Sequence, residues 1–269
     1  MKTALDAAFH SDSENGKPVE NALHGVWLGH PLHPVLTDIA IGAWTTACVF
    51  DLIDDFGFSK NLRTGADGSI LLGITGAAAA AAAGLTDWKE IDQGARRTGL
   101  LHGLLNSVAL GLFVTSSILR AQRDRSRAKL FSYAGFGVMI GSAWLGGHLS
   151  FSNQIGVARV PAQEPPEDFT AVLPASQLEE NKPRRVEANG YPLVLVKRGE
   201  QILALAEMCT HAGGPLSEGR LEGDCIRCPW HGSLFDMRDG SVVESPSVHA
   251  VACFDTRVQN GQIEVRAKS

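Results

Sequence analysis

The sequence has no excess of positive charge: 24 Lys and Arg stand against 29 Asp and Glu, a net charge of −5. That excludes the global basic field with which proteins hold nucleic acid, so no nucleic-acid partner is expected. A cysteine framework is missing too. The five cysteines (Cys48, Cys209, Cys225, Cys228 and Cys253) are odd in number and irregularly spaced, which excludes a disulfide-stapled scaffold. Residues 1–20 are polar and carry no apolar core segment. No cleavable signal peptide is expected, and any membrane insertion has to come from internal segments. Signatures of an autonomous enzyme are also lacking: there is no GxGxxG, no P-loop and no facial triad for mononuclear iron.

What is present divides into two unlike halves. The length of 269 residues fits about two domains. Residues 34–150 contain four stretches of the length and apolarity that cross a bilayer, roughly 34–53, 68–85, 98–119 and 130–149. Short charged loops separate them. The second contains the run Ala77–Ala83; alanine forms helix readily but is only slightly lipophilic, so this helix is expected to pack inside a bundle. Residues 1–33 read as a polar N-terminal tail.

The polar residues of these spans gather on one side. His30, His33 and Asp38 stand at the start of span 1, Asp87 after span 2, His102 and Asn106 in the first turns of span 3, and His148 at the end of span 4. Counting crossings puts all of them in one leaflet, on the side from which the C-terminal half emerges. Ionisable groups at membrane depth are costly and mark functional sites. Neutral imidazoles from facing helices can ligate haem iron or a non-haem metal, and with Asp38 or Asp87 they can bind a quinol and take its protons. The expectation is haem b, with His33, His102 and His148 as ligands and His30 as a substitute for one of them. Basic residues nearly tie between the two sides of the membrane. Arg120, Arg123, Arg125, Arg127 and Lys129 crowd one loop, which favours that loop being cytoplasmic and the termini outside.

The segment Gly29-His30-Pro31-Leu32-His33-Pro34, followed by the four-span pattern over about residues 24–150, resembles the membrane domain family DUF2231. The resemblance implies a multi-pass protein of a bacterial inner membrane, embedded in lipid, and no particular chemistry.

Residues 151–168 include V-P-A-Q-E-P-P-E-D (160–168), a stiff and exposed connector rich in proline and acid that separates the halves and leaves the second free to move. From residue 169 to 269 the pattern changes to short alternating strands: Tyr191–Lys197, Gln201–Glu207, His249–Arg257 and Gln262–Arg266, separated by Gly-containing turns. The fold class expected is therefore two-domain, an N-terminal all-α four-helix transmembrane bundle plus a C-terminal all-β domain.

Two loops of the β domain hold metal-ligand residues, Cys209-Thr-His211 and Cys228-Pro-Trp-His231, with sixteen residues between His211 and Cys228. Two thiolates and two imidazoles suit a [2Fe–2S] centre in which the cysteines hold one iron and the histidines the other. Zinc is the alternative, but zinc fingers pair like with like, whereas each loop here supplies one of each. Cys225 and Cys253 read as buried strand residues, Cys48 as a helix-packing residue and His249 as a strand residue without a metal role.

The two loops, with Gly213-Gly214-Pro215-Leu216, Phe235-Asp236 and Gly240 around them, resemble the Rieske family over about residues 168–269. The resemblance implies that Cys209, His211, Cys228 and His231 hold the cluster and that the histidine-bound iron takes the electron near the surface. Where respiratory members have a disulfide-forming cysteine in each loop, this chain has Gly214 and Trp230, as the ferredoxin branch does. Ser233 matches the serine that tunes the cluster by hydrogen-bonding a bridging sulfide, while the tyrosine of that branch is Phe235. One donor lost of two implies a low to intermediate potential.

The function expected is a membrane-bound Rieske-type electron-transfer protein passing single electrons between a membrane site, haem b or quinone, and a redox partner: an oxygenase, a reductase or a respiratory subunit. The alternative is a tethered Rieske ferredoxin feeding a separate oxygenase, with no cofactor in the membrane half. Whether the chain is a carrier or an oxidoreductase subunit, and whether it forms a homo-oligomer, is left open by the residues.

Overall fold

The computed structural model describes residues 16–91 and 93–268. His10 and the first part of the expected tail lie outside the described residues. The chain separates into two units: one gathers residues 16–31 with 156–268, the other is residues 32–155.

The second unit is built of four helices, α2 (Leu32–Asp55), α3 (Arg63–Lys89), α4 (Gln93–Ala121) and α5 (Arg125–Gly147), continued by a wider turn at His148–Ser152. All four are long and apolar enough to cross a membrane. Pro34 sits in the first turn of α2, where a missing N–H costs nothing. Asp124 caps α5 by accepting the N–H of Arg127 at 3.3 Å.

Close packing comes from small residues facing large ones. A Cβ on Gly73 of α3 would stand 2.3 Å from the indole of Trp44, and one on Gly135 of α5 would stand 3.0 Å from the ring of Phe113. Trp44 and Phe113 stack on each other in the centre, 4.1 Å apart and 9° from parallel. The alanine-rich α3 is not a central helix: 28% of its apolar stretch is buried, less than the 33% of α2 and only slightly more than the 22% of α4 and of α5, and Leu71, Leu72 and Leu85 point outward. In a four-helix bundle each helix can bury only one face, so the alanines make contacts rather than a central helix.

The bundle is a duplicated hairpin. His33, Ala40, Gly42 and Trp44 of α2 match His102, Ala109, Gly111 and Phe113 of α4 at one constant offset along the chain. Arg63, Ala66, Gly73 and Gly84 of α3 match Arg125, Ala128, Gly135 and Gly146 of α5 at another. Matched residues occupy matched sites: Ala40 and Ala109 are buried, Ala66 and Ala128 are fully buried, and Trp44 pairs with Phe113.

The first unit is all-β apart from its N-terminal helix α1 (Gly16–His24) and a 3-10 turn at Val26–Leu28. Its strands are β1 (Thr170–Pro174), β2 (Arg184–Ala188), β3 (Tyr191–Arg198), β4 (Gln201–Ala206), β5 (Arg220–Glu222), β6 (Cys225–Arg227), β7 (Leu234–Asp236), β8 (Val242–Glu244), β9 (Cys253–Gln259) and β10 (Gln262–Ala267). They form an antiparallel six-stranded sheet, β1-β10-β9-β4-β3-β2, and a small antiparallel sheet, β5-β6-β7-β8. Leu193, Leu195, Leu205, Ile226, Phe235 and Ile263 make the core.

Three expectations change. Residues 16–31 are not a free tail but part of the β unit: the Asn21 amide donates to Val243 O at 3.0 Å and accepts from Ser245 N at 2.9 Å, capping the open edge beside β8. The connector is exposed over most of its length, as expected, but it is pinned at points rather than free to move. Arg159 N donates to Thr210 O (2.9 Å), Ala267 N donates to Pro166 O (2.7 Å), and Pro161 and Pro166 are buried. Strand β9 starts at Cys253, not His249, because residues 249–252 close a loop instead, with Val251 N bonded to Gly240 O at 2.9 Å.

Candidate metal centre

The two ligand-bearing loops project from one end of the small sheet. The first follows β4 and the second joins β6 to β7. Each folds back on its own cysteine. Cys209 N donates to Gly214 O (2.9 Å) and Gly213 N to Cys209 O (2.8 Å); Cys228 N donates to Ser233 O (2.8 Å) and Gly232 N to Cys228 O (3.2 Å). The returns need left-handed backbone at Gly213 (φ +84°) and Gly232 (φ +82°). Arg227 steadies the second loop, donating to Gly232 O at 2.7 Å and pairing with Glu222 at 2.6 Å and Glu244 at 2.9 Å.

Packing the loops together brings four side chains to one place. Cys209 and Cys228 are buried and their sulfurs share a hydrogen bond. The rings of His211 and His231 stand 5.0 Å apart at 85°. A Cβ on Gly214 would lie 2.8 Å from Cys228 Sγ and 3.1 Å from the Trp230 ring, so the approach requires glycine there. Nδ1 of His211 is buried and has no hydrogen-bond partner. A buried nitrogen left this way is costly unless a ligand takes its lone pair.

The electrostatics favour metal binding. Burial first, then the neighbouring His231, His24 and Arg159, hold His211 down at about 4, so its imidazole is neutral at physiological pH. The Cys209 thiol, and then the backbone N–H groups of Trp230 and His231, bring Cys228 down to about 6. Its partner is pushed up, since two sulfurs in contact cannot both ionise. N–H groups of His211 and Ala212 point at Cys209 in the same way. Such donors stabilise thiolate and set the potential of whatever the thiolates hold. Two thiols and two neutral imidazoles on closed loops fit a [2Fe–2S] group. Ser233 is fully buried; its Oγ accepts from Ser247 N at 2.9 Å, which leaves the hydroxyl proton for another acceptor. Phe235 is fully buried in the core. Cys225 and Cys253 lie on β6 and β9 and are half-buried rather than buried; Cys48 is buried in the bundle.

The membrane-half residues gather only in part. His33 and His102 meet ring to ring, centres 6.4 Å apart and planes at 80°. His148 is exposed and stacks on Trp144 of its own helix. His30 belongs to the β unit, where its ring meets His249 at 5.8 Å. Asp38 is exposed and Asp87 half-buried. The four-histidine constellation expected for haem b therefore reduces to one pair, because α2 and α4 turn only those two rings toward each other.

Sequence reasoning missed two features. One is α1, which brings His24, 3% exposed, within electrostatic range of His211. The other is an ion-pair network at the opposite end of the bundle. Arg120 pairs with Asp51 and, at 2.7 Å, with Asp67; Arg125 pairs with Asp67 at 2.9 Å; Lys129 pairs with Asp54 at 2.5 Å and Asp55 at 2.6 Å; Arg63 pairs with Asp54 at 2.8 Å. The clue was four aspartates at the ends of otherwise apolar spans.

Comparison with known proteins agrees with this division. Residues 168–255 match the Rieske [2Fe-2S] domain family and residues 29–159 match the family described as a predicted membrane protein, DUF2231. Ferredoxin CarAc of Metapseudomonas resinovorans is 37% identical over 95 residues, covering 35% of this chain and 89% of that protein. The ferredoxin subunit of anthranilate 1,2-dioxygenase from Burkholderia cepacia is 32% identical over 33% of this chain and 82% of its own length. Among solved structures, the ferredoxin of carbazole 1,9a-dioxygenase from Nocardioides aromaticivorans IC177 is 28% identical, covers 38% of this chain and 100% of itself, and aligns with a TM-score of 0.36. The chain belongs to the Rieske [2Fe–2S] family through its β unit, carries a DUF2231 membrane domain ahead of it, and is an electron-transfer protein of the membrane.

Proposed function

We propose that Cys209 and Cys228 hold one iron of the [2Fe–2S] cluster and His211 and His231 the other, and that the chain passes single electrons from this membrane-tethered cluster to a separate redox partner protein. The observation that carries the reading is the convergence of two buried sulfurs and two imidazoles, one without a hydrogen-bond partner at Nδ1, on two closed loops. Bound there, the cluster supplies a one-electron couple; the chain's own residues orient it, keep water from the sulfurs and donate N–H groups to them. One named relative is the ferredoxin subunit of anthranilate 1,2-dioxygenase, so the partner proposed is the terminal component of an oxygenase.

Iron and sulfide analysis with EPR on the detergent-purified chain tests this. The expected result is two irons per chain and the low average g of a histidine-ligated centre, lost in His211→Ala and in Cys228→Ala. A rhombic signal that survives His211→Ala would overturn the ligand set. Ser233→Ala should keep the cluster and lower its midpoint potential, since it removes a hydroxyl donor.

A second reading adds electron exchange with a membrane site, haem b or quinone, at the histidine end of the bundle. The meeting of His33 with His102 favours it. A reduced-minus-oxidised optical spectrum and quinone extraction from the same sample decide whether such a site is occupied. The membrane proposed is the bacterial inner membrane. Of the five basic residues favouring a cytoplasmic 120–129 loop, Arg120, Arg125 and Lys129 are neutralised by aspartates. The charge argument for an external β unit then rests on Arg123 and on Arg127, whose ion pair with Asp124 at 3.4 Å is an exposed one. A cysteine placed by Ser126→Cys, labelled only from the cytoplasmic side, would put the β unit outside.

A further inference from the structure

We propose that His33 and His102 share one first-row transition-metal ion through their Nε2 atoms, held as a bare ion or as haem iron. The inference rests on the membrane-site reading and narrows it to two ligands on the interface between the duplicated hairpins.

The duplication is the first observation. The hairpins have diverged at many matched positions: Trp44 faces Phe113, and Asp51 faces Arg120. The histidine is the same in both copies, and so are the carbonyl and the glycine that hold it; His102 adds Ser142 Oγ at 3.1 Å and Asn106, where the first hairpin has Ala80 and Thr37. Nδ1 of His33 is 2.7 Å from Ala80 O on α3, and Nδ1 of His102 is 2.9 Å from Ser142 O on α5. Ala80 and Ser142 are matched positions. The glycine one turn further on, Gly84 or Gly146, seats the ring: an added Cβ would lie 2.8 Å and 3.1 Å from the respective Cε1 atoms.

The chemistry follows from those bonds. A carbonyl oxygen only accepts, so each Nδ1 carries a proton, and in the neutral ring Nε2 is the atom with the lone pair. An imidazole anchored through Nδ1–H to a backbone carbonyl is in the tautomer and orientation of a metal ligand. Two rings sharing one metal through Nε2, at a metal–nitrogen bond of about 2 Å, have centres roughly 6 Å apart. The observed centre-to-centre distance of 6.4 Å matches that separation. Asn106 bonds His102 Nε2, its Nδ2 donating at 3.0 Å. Asn106 is one turn along the same helix and yields the lone pair by a side-chain rotation.

The test counts metal in the full-length chain purified in detergent, as isolated and after incubation with haemin, Fe(II) or Zn(II). The expected result is one metal per chain beyond the two irons of the cluster. A pyridine haemochrome band identifies haem iron, and metal without that band identifies a bare ion. His33→Ala and His102→Ala should each lower this extra occupancy at least 10-fold while the cluster EPR signal stays, and His148→Ala should retain it. No extra metal in the wild-type chain under any condition overturns the proposal. Quinone recovered from such a sample would keep the membrane-site reading alive without it. Extra metal that survives both variants overturns the ligand assignment and leaves the reading standing. If the variants misfold, nitrogen couplings on the wild-type protein decide, read on ferric haem or on Cu(II) loaded in place of a bare ion: two equivalent imidazole couplings support the pair, and none overturns it.

Discussion

At the scale of single residues the cluster site depends on what is missing from Gly214. Its hydrogen occupies the space between Cys228 Sγ and the Trp230 ring, so Gly214→Ala forces the two loops apart. A loss of about 1–3 kcal/mol is expected for such overpacking, measured as a lower melting temperature, together with reduced iron content per chain. Arg227 and Glu222 offer a pH test. The Arg227 guanidinium, with Arg220 adding to it, holds the Glu222 carboxyl down at about 2 from an ordinary 4.5. A depressed carboxyl contributes stability that is present above pH 4.5 and is lost as pH falls through 2. Glu222→Gln should therefore lower the melting temperature at pH 7, change little at pH 2, and so flatten the fall between pH 4.5 and 2. The pair is partly exposed, so the effect is well below full linkage.

At the scale of elements the membrane half is two hairpins with opposite charge at one end. The acids Asp51, Asp54, Asp55 and Asp67 lie on α2 and α3, and their partners Arg120, Arg125 and Lys129 lie on α4 and α5. Duplicated hairpins could in principle pair with their own kind, in a second copy of the chain. Like pairing would set aspartate against aspartate or arginine against arginine, so the charges specify the unlike pair. Asp51 and Arg120 are nearly inaccessible, with side chains 1% and 4% exposed. Arg120→Asp should cost about 3–5 kcal/mol, because it leaves buried aspartates without a counter-charge. The double variant Asp51→Arg/Arg120→Asp should recover part of that. Thermal unfolding in detergent measures both, and a double variant as weak as the single one would mean that charge pairing is not what joins the hairpins. The sequence displayed every one of these charges. It did not display their pairing, since residues some seventy positions apart meet only once α2 and α4 lie side by side.

At the scale of the whole molecule, proline and acid composition alone misjudges the connector. Residues 157–168 look like a solvated hinge, yet Arg159 and Pro166 bond to the cluster loop and to the last strand, respectively. Limited trypsin digestion should cut slowly after Arg159 and more readily after Lys60, which is exposed in the loop joining α2 to α3. Rapid release of the β unit by a cut at Arg159 would restore the hinge. The same lesson applies to residues 16–31. Their polar composition suggested a tail, while Asn21 has backbone partners more than 200 residues away. Local pattern carries no information about partners at such separation.

Four spans, an all-β domain and the C-x-H and C-x-x-H loops follow from the sequence by itself. Each depends on short-range physics: apolar length against bilayer thickness, alternation along strands, and ligand types at fixed spacing. Which membrane histidines meet was beyond its reach. His30, His33, His102 and His148 look equivalent along the chain, and only helix rotation and the duplicated packing of glycine against aromatic ring select His33 and His102. Tertiary structure likewise decided that α1 lies on the β unit and that the basic loop is largely neutralised. Both depend on contacts between distant segments, whose free energy is set by packing and by burial of charge rather than by any local preference.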